Sequence, residues 1–212
     1  STMIASNQAR ANYKGLLKNF PDWSNILADI NFEKLKKDNK KKVLIATSTG
    51  GHRLAISSEI LFGLSLKARE AEVDFLLCDE ALSACSECTY MEFEKRSDFI
   101  KYGASPKCTS CWNTGKNTLK QAGIKTLQYS NYITKENIRE IKHILELTEY
   151  DKIRNFKLDN ISIGEHAYAG ALRFHAQGTL KYSKEDILIL KKYFESALKT
   201  FFIAKNLFKS LK

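Results

Sequence analysis

Apolar residues recur along this chain in two rhythms, and the change comes near residue 43. Before it, Tyr13, Leu16, Leu17 and Phe20, then Trp23, Ile26, Leu27 and Ile30, return every three or four residues. That is the spacing of a helix with one buried face. Pro21 separates the two groups, since a proline inside a helix removes a hydrogen bond and clashes with the preceding turn. Helices are therefore predicted from residue 3 to about residue 37. Val43-Leu44-Ile45-Ala46-Thr47 is short, apolar and β-branched, which suits a buried parallel strand. After Ser48-Thr49-Gly50-Gly51-His52 the helical spacing resumes through Leu54, Ile56, Ile60, Leu61, Leu64 and Leu66 to about Ala68. Glu72-Val73-Asp74-Phe75-Leu76-Leu77-Cys78-Asp79 gives a second strand. Strand, glycine turn, helix and strand form a βαβ unit, whose crossover is expected to be right-handed.

Residues 80 to 116 interrupt this alternation. A short helix over residues 116 to 122 and a third strand, Ile124-Lys125-Thr126-Leu127-Gln128-Tyr129, follow. Thr134 with Asn137 at the third helical position predicts a capped helix to about Tyr150. Residues 154 to 164 read as a partly extended loop, and residues 165 to 177 as a helix ended by Gly178. Ser183 with Asp186 resembles a capping box. It opens a long helix marked by Ile187, Leu190, Phe194, Ala197, Phe201, Ala204, Phe208 and Leu211. A helix of this length in an α/β alternation leads back into a strand, so the expectation is the first part of a longer protein. No internal repeat is visible, and Ser1-Thr2 ahead of Met3 reads as an expression remnant.

Composition narrows the class. Hydrophobic residues make up 43% of the 212 and proline occurs twice, a globular and helix-permissive balance. There is no run of eighteen apolar residues and no leader pattern, so a cytoplasmic protein is expected. The formal charge of +10 favours an anionic partner. Its densest cluster, Lys34-Leu35-Lys36-Lys37-Asp38-Asn39-Lys40-Lys41-Lys42, is either a solvated linker or a contact for an anionic membrane surface or phosphates. No recognised nucleic-acid module is present, which disfavours nucleic acid as the partner.

Four of the five cysteines form two pairs, Cys85-Ser-Glu-Cys88 and Cys108-Thr-Ser-Cys111, nineteen residues apart. Two C-x2-C turns can supply four thiolates to one structural zinc. An iron–sulfur cluster, disulfides, free thiols and a catalytic metal are the competing readings. Nucleobase deaminases use H-x-E and P-C-x-x-C around an open metal position. Here no H-x-E precedes, and Lys107 separates Pro106 from Cys108. Cys78, at the end of an apolar strand, reads as a small buried hydrophobe that could also lie near a metal or ligand.

Two segments could carry chemistry. Gly50 and Gly51 permit a tight turn that a ligand can approach, and the helix after it offers backbone N–H groups to an anion. His52 at that turn is a candidate general base, or alternatively a helix-start residue with a structural hydrogen bond. Neither the dinucleotide fingerprint nor the Walker pattern is complete. In Ile163-Gly164-Glu165-His166 the Glu165–His166 pair is a candidate for acid–base work or acceptor binding, and Arg173 and His175 for flanking an anion. Capping and core roles compete, since carboxylates suit helix starts anyway.

The stretch from Lys42 to His52 resembles the first strand and glycine loop of GT-B glycosyltransferases, including those that act on lipid-linked acceptors in cell-wall synthesis. Residues 77 to 85, the second cysteine pair and residues 163 to 174 look like bacterial surface-polysaccharide (capsule) biosynthesis proteins of that broad type, and the likeness runs over about residues 42 to 210. It implies a Rossmann-like, three-layer α/β N-terminal domain over residues 43 to 212, with a zinc-binding insertion at residues 83 to 112 and closing helices over residues 165 to 212. Residues 3 to 42 would be a helical extension with a basic linker. It further implies the acceptor side of a sugar transferase, with Gly50, Gly51 and His52 in the cleft and a lipid-linked sugar acceptor at the inner membrane face. The nucleotide-sugar site would lie in a C-terminal domain to which nothing here corresponds, leaving this piece inactive alone. The alternatives are a zinc-stabilised binding module for nucleic acid or another acidic partner, and a non-catalytic component of a polysaccharide assembly complex.

Overall fold

The computed structural model describes residues 21–28, 41–47, 49–93 and 95–211. The helical pattern before Pro21, Ile30 and the lysine run as far as Lys40 lie outside the described residues, as does Ser48. The described residues form a mixed α/β structure, with three parallel strands and seven α-helices. They divide into two compact units, Ser1–Asp79 with Pro106–Tyr129 and Glu80–Ser105 with Ser130–Lys212.

The first unit holds the sheet, in the order β1-β2-β3: β1 Lys42–Ile45, β2 Glu72–Leu77 and β3 Lys125–Gln128. Val43 is in register with Val73, and Phe75 with Thr126. The central strand is the most buried because it has a neighbour on each side; Val73, Phe75, Leu76 and Leu77 are all buried. Helix α1 (Trp23–Ile26) is one turn long, capped by Asp22, whose carboxylate accepts the Asn25 N–H. Its Trp23 joins the core of Ile56, Ile60, Val73, Phe75, Leu77, Leu119 and Ile124. Helix α2 (Arg53–Lys67) follows the glycine turn and places Ile56, Ile60 and Leu64 inward.

The second unit is helical. Helix α3 is Arg96–Tyr102, and α4 (Ser105–Gln121) starts in this unit and continues into the first. Helices α5 (Lys135–Leu147), α6 (Ile163–His175) and α7 (Lys184–Ser210) follow. At 1.5 Å per residue α7 is about 40 Å long, and α3, α5 and α6 all pack on it. Phe99 and Phe174 stack with ring centroids 4.5 Å apart, and Phe93 meets Phe99 edge-on at 5.0 Å. Both capping boxes form, Thr134 with Asn137 on α5 and Ser183 with Asp186 on α7. Asn206 of α7 also donates to Asn137 Oδ1 and to the Tyr132 carbonyl, tying the two helices at the capped end of α5.

Two expectations change. The segment over residues 80 to 116, expected only to interrupt the α/β alternation, contains a 3-10 turn, Tyr90–Glu92, then α3 and the first half of α4. Pro106 lies in the first turn of α4, where its missing N–H costs nothing. Helix α6 ends before Gly178. Ala176, at φ 50° and ψ 43°, takes the left-handed closing position. There the Ala176 N–H bonds the Arg173 carbonyl and the Gln177 N–H bonds the Leu172 carbonyl, the Schellman pattern in which glycine is usual. Gly123 fills the equivalent place after α4. Ala176→Gly should therefore stabilise the protein by about 1 kcal/mol, read as a raised urea midpoint at unchanged slope; no gain would show that the alanine pays no conformational cost there.

Candidate functional site

In the first unit the site residues converge where β1 runs into α2. Gly50 is buried, and a Cβ there would lie 2.6 Å from the Cys111 carbonyl oxygen and 2.7 Å from Gly115 Cα. Gly50 and Gly115 thus let the turn and helix α4 touch backbone to backbone. This contact explains Gly50 without invoking a ligand. Gly51 would meet Cys111 only at ordinary distances of 3.4 Å and more, and its N–H donates to Cys111 Sγ at 3.2 Å. The turn leans on a cysteine sulfur.

His52 is the N-cap of α2. Its Nδ1 accepts the Ala55 N–H at 3.2 Å, as an Asp or Ser would at that position. A neutral imidazole held this way carries its proton on Nε2, so the exposed edge of the ring donates. With Nδ1 engaged by the Ala55 N–H, Nε2 is the ring nitrogen left open to a phosphate or hydroxyl oxygen.

The second unit holds Cys85 and Cys88. Their sulfurs lie 3.8 Å apart, close to the edge of a tetrahedron with Zn–S bonds of about 2.3 Å. The hydrogen bond from Cys88, helped by the Glu87 backbone N–H and least by the Arg173 charge, outweighs burial and draws the Cys85 thiol down to about 7. The protein's own side chains also hold this loop: the Arg173 guanidinium donates to the Cys85 carbonyl at 2.9 Å, and the Tyr193 hydroxyl to the Cys88 carbonyl at 3.0 Å. Burial keeps the Tyr193 phenol protonated as a donor. The Ala84 N–H completes the staple on Ser196 Oγ at 2.8 Å. Arg173, expected to flank an anion, is a clamp on this loop.

Cys108 and Cys111 lie in the first unit on helix α4, one turn apart, rather than on a C-x2-C turn. Within the described residues no group of three or more His, Cys, Asp or Glu side chains is gathered for a metal. Cys78 is half-buried after β2.

Glu165 and His166 are exposed in the first turn of α6. Glu165 lines a cleft of about 390 Å³ with Arg154, Asn155, Lys157 and Ser162, all from the segment before α6 whose pattern predicts a partly extended loop. His175 does not reach this surface. It is 3% exposed, with Nε2 3.3 Å from Asp186 Oδ1 but off the direction of a hydrogen bond. Burial pushes its pKa below the usual histidine value, against the pull of Asp186. It is a neutral core residue.

No family model matches the chain, and neither the curated proteins nor the solved structures contain a match. Among the described residues no helix is long and apolar enough to cross a membrane.

Proposed function

We propose that this chain is the acceptor-side, Rossmann-like domain of a GT-B-type sugar transferase acting in bacterial surface-polysaccharide synthesis. The observation that carries the reading is the glycine turn. It leaves the carboxyl end of a parallel strand and opens a helix whose first turn is capped by an imidazole. Open α/β sheets bind ligands at that edge. The transfer breaks the anomeric C–O bond to a nucleoside diphosphate, forms one to an acceptor hydroxyl, and releases the hydroxyl proton. A donor on His52 Nε2 would contribute by holding an oxygen of the acceptor or of the departing diphosphate. Leu54, Leu61 and Phe62, all exposed on α2, fall on one helical face and support contact with a lipid-linked acceptor at the cytoplasmic side of a membrane.

Zinc belongs to the same proposal. The spacing of the two pairs suggests four thiolates on one ion, and the 3.8 Å sulfur separation at Cys85 and Cys88 fits two of them. Zinc held this way would supply rigidity and no chemistry, since a closed site leaves no position for substrate.

The test uses His52→Asn. Asparagine caps a helix at least as well as histidine, so the melting temperature should hold while the imidazole donor is lost. In the gene product that carries this chain, sugar transfer from nucleotide sugars to lipid-linked acceptors should fall by about 10² in kcat/KM. Wild-type protein with neither nucleotide-sugar binding nor transfer would defeat the reading. Unchanged transfer in the variant would remove His52 from it.

A further inference from the structure

The cleft at the start of α6 lies wholly in the second unit, and it is lined by polar side chains alone. Its volume of about 390 Å³ falls in the range small ligands occupy, roughly 300 to 1,000 Å³. Most pockets of that size are apolar with a few polar groups. Here Arg154, Asn155, Lys157, Ser162 and Glu165 form the wall, which suits a ligand that itself carries many hydrogen-bonding groups.

The walls are fixed by backbone. Gly164 sits so tightly on the 3-10 turn Ile153–Asn155 that a Cβ would overlap the Ile153 carbonyl oxygen. Its N–H donates to the Phe156 carbonyl at 3.0 Å. Between the cleft residues, Leu158 and Ile161 exchange two backbone hydrogen bonds across Asp159 and Asn160, both at positive φ, as in a tight two-residue hairpin turn. The Arg154 guanidinium lies 4.8 Å over the Tyr168 ring, which orients it without neutralising it.

The charges choose the ligand. Among the described residues Arg154, Lys157 and Glu165 form no ion pair, so two cations and a carboxylate line one space without pairing. A simple anion or a polyphosphate would use the cations but face the carboxylate at a cost. A molecule with an acidic group and several hydroxyls satisfies all three, its acid on Arg154 and Lys157 and its hydroxyls donating to Glu165. We infer that this cleft binds an acidic sugar residue, a hexuronate or a sugar phosphate. The inference needs no activity at the glycine turn and stands or falls separately from the transferase reading.

The experiment follows backbone amide shifts of Asn155, Ser162 and Glu165 in the isotope-labelled chain. Sodium glucuronate, glucose 1-phosphate, glucose and inorganic phosphate are titrated separately. Saturable shifts are expected with glucuronate or glucose 1-phosphate, at least tenfold tighter than with glucose or phosphate. Which of the two saturates identifies the acid as carboxylate or phosphate. Lys157→Gln and Glu165→Gln should each weaken that binding about tenfold, the size of one charge-assisted hydrogen bond. Both positions are exposed, so folding is expected to survive and is checked by circular dichroism. Saturation by neither acidic sugar, equal binding of glucose or phosphate, or wild-type binding in both variants would overturn the inference.

Discussion

Gly164→Ala should destabilise the helical unit by about 3 kcal/mol or more, a larger loss than most single substitutions cause. The added methyl group would overlap the Ile153 carbonyl oxygen and crowd the Ile153 carbonyl carbon at 2.8 Å and the Phe156 nitrogen at 2.9 Å. All three are backbone atoms, so no rotamer change can relieve the contact. Relief requires α6 to move off the turn, which would break the Gly164–Phe156 hydrogen bond and open the packing of Ile163 and Ala167. Gly178→Ala is the control. A Cβ there meets nothing within 4 Å, and the change should be neutral or stabilise by a few tenths of a kcal/mol. Urea melts followed by circular dichroism measure both. A Gly164→Ala protein within 1 kcal/mol of wild type would mean that α6 shifts easily, and the cleft built on that contact would lose its claim to rigidity.

The elements legible in the sequence were those whose signal is local. Val43 to Thr47 and Glu72 to Asp79 form strands because β-branched and apolar runs leave few alternatives, and the strands observed fall within one or two residues of those limits. Both caps at Thr134 and Ser183 form, since each needs only a side chain reaching three residues ahead. The end of α6 was not legible, because the chain placed alanine where glycine is usual and a misleading glycine two residues later. Helix α4 was hidden for another reason. Ser105 to Trp112 holds two cysteines, two serines and a threonine but a single large apolar residue, Trp112, so the first half has no amphipathic rhythm, and Pro106 is its one signal.

The candidate site was legible as a set of residue types but not as a set of roles. His52 and the two glycines stand together as expected, yet Gly50 is explained by a helix pressing on it, and that contact is between residues 61 to 65 positions apart. No periodicity reports such a meeting. Arg173 was read as an anion contact, and it is spent on two carbonyls of the Cys85 loop. Glu165 was found, but its neighbours Arg154 and Lys157 were not, because a charged loop looks the same whether it lines a cleft or faces solvent.

The chain purified without added metal should carry one zinc ion, and stripping it should lower the melting temperature by roughly 10 °C. An ion present at a thousand times its dissociation constant stabilises by about 4 kcal/mol, and a domain of this size shifts by about 2 to 4 °C per kcal/mol. The Cys85 loop is already stapled by Arg173, Tyr193 and Ser196, so the fold should survive the loss, unlike a small zinc finger that unfolds without its metal. Cys85→Ser and Cys108→Ser separate one shared ion from other arrangements. With four thiolates on one zinc, either change should cut zinc content and affinity together. If Cys108→Ser keeps full zinc while Cys85→Ser loses it, the pairs do not share an ion. Arg173→Leu tests the positioning role. It leaves all four sulfurs in place, so a fall in zinc affinity of about tenfold with little change in zinc-free stability would assign the arginine to aiming the loop. A metal-free protein whose melting temperature is indifferent to zinc and to chelator would leave the cysteines as thiols. The Gly51 N–H on Cys111 Sγ would then be a packing contact alone.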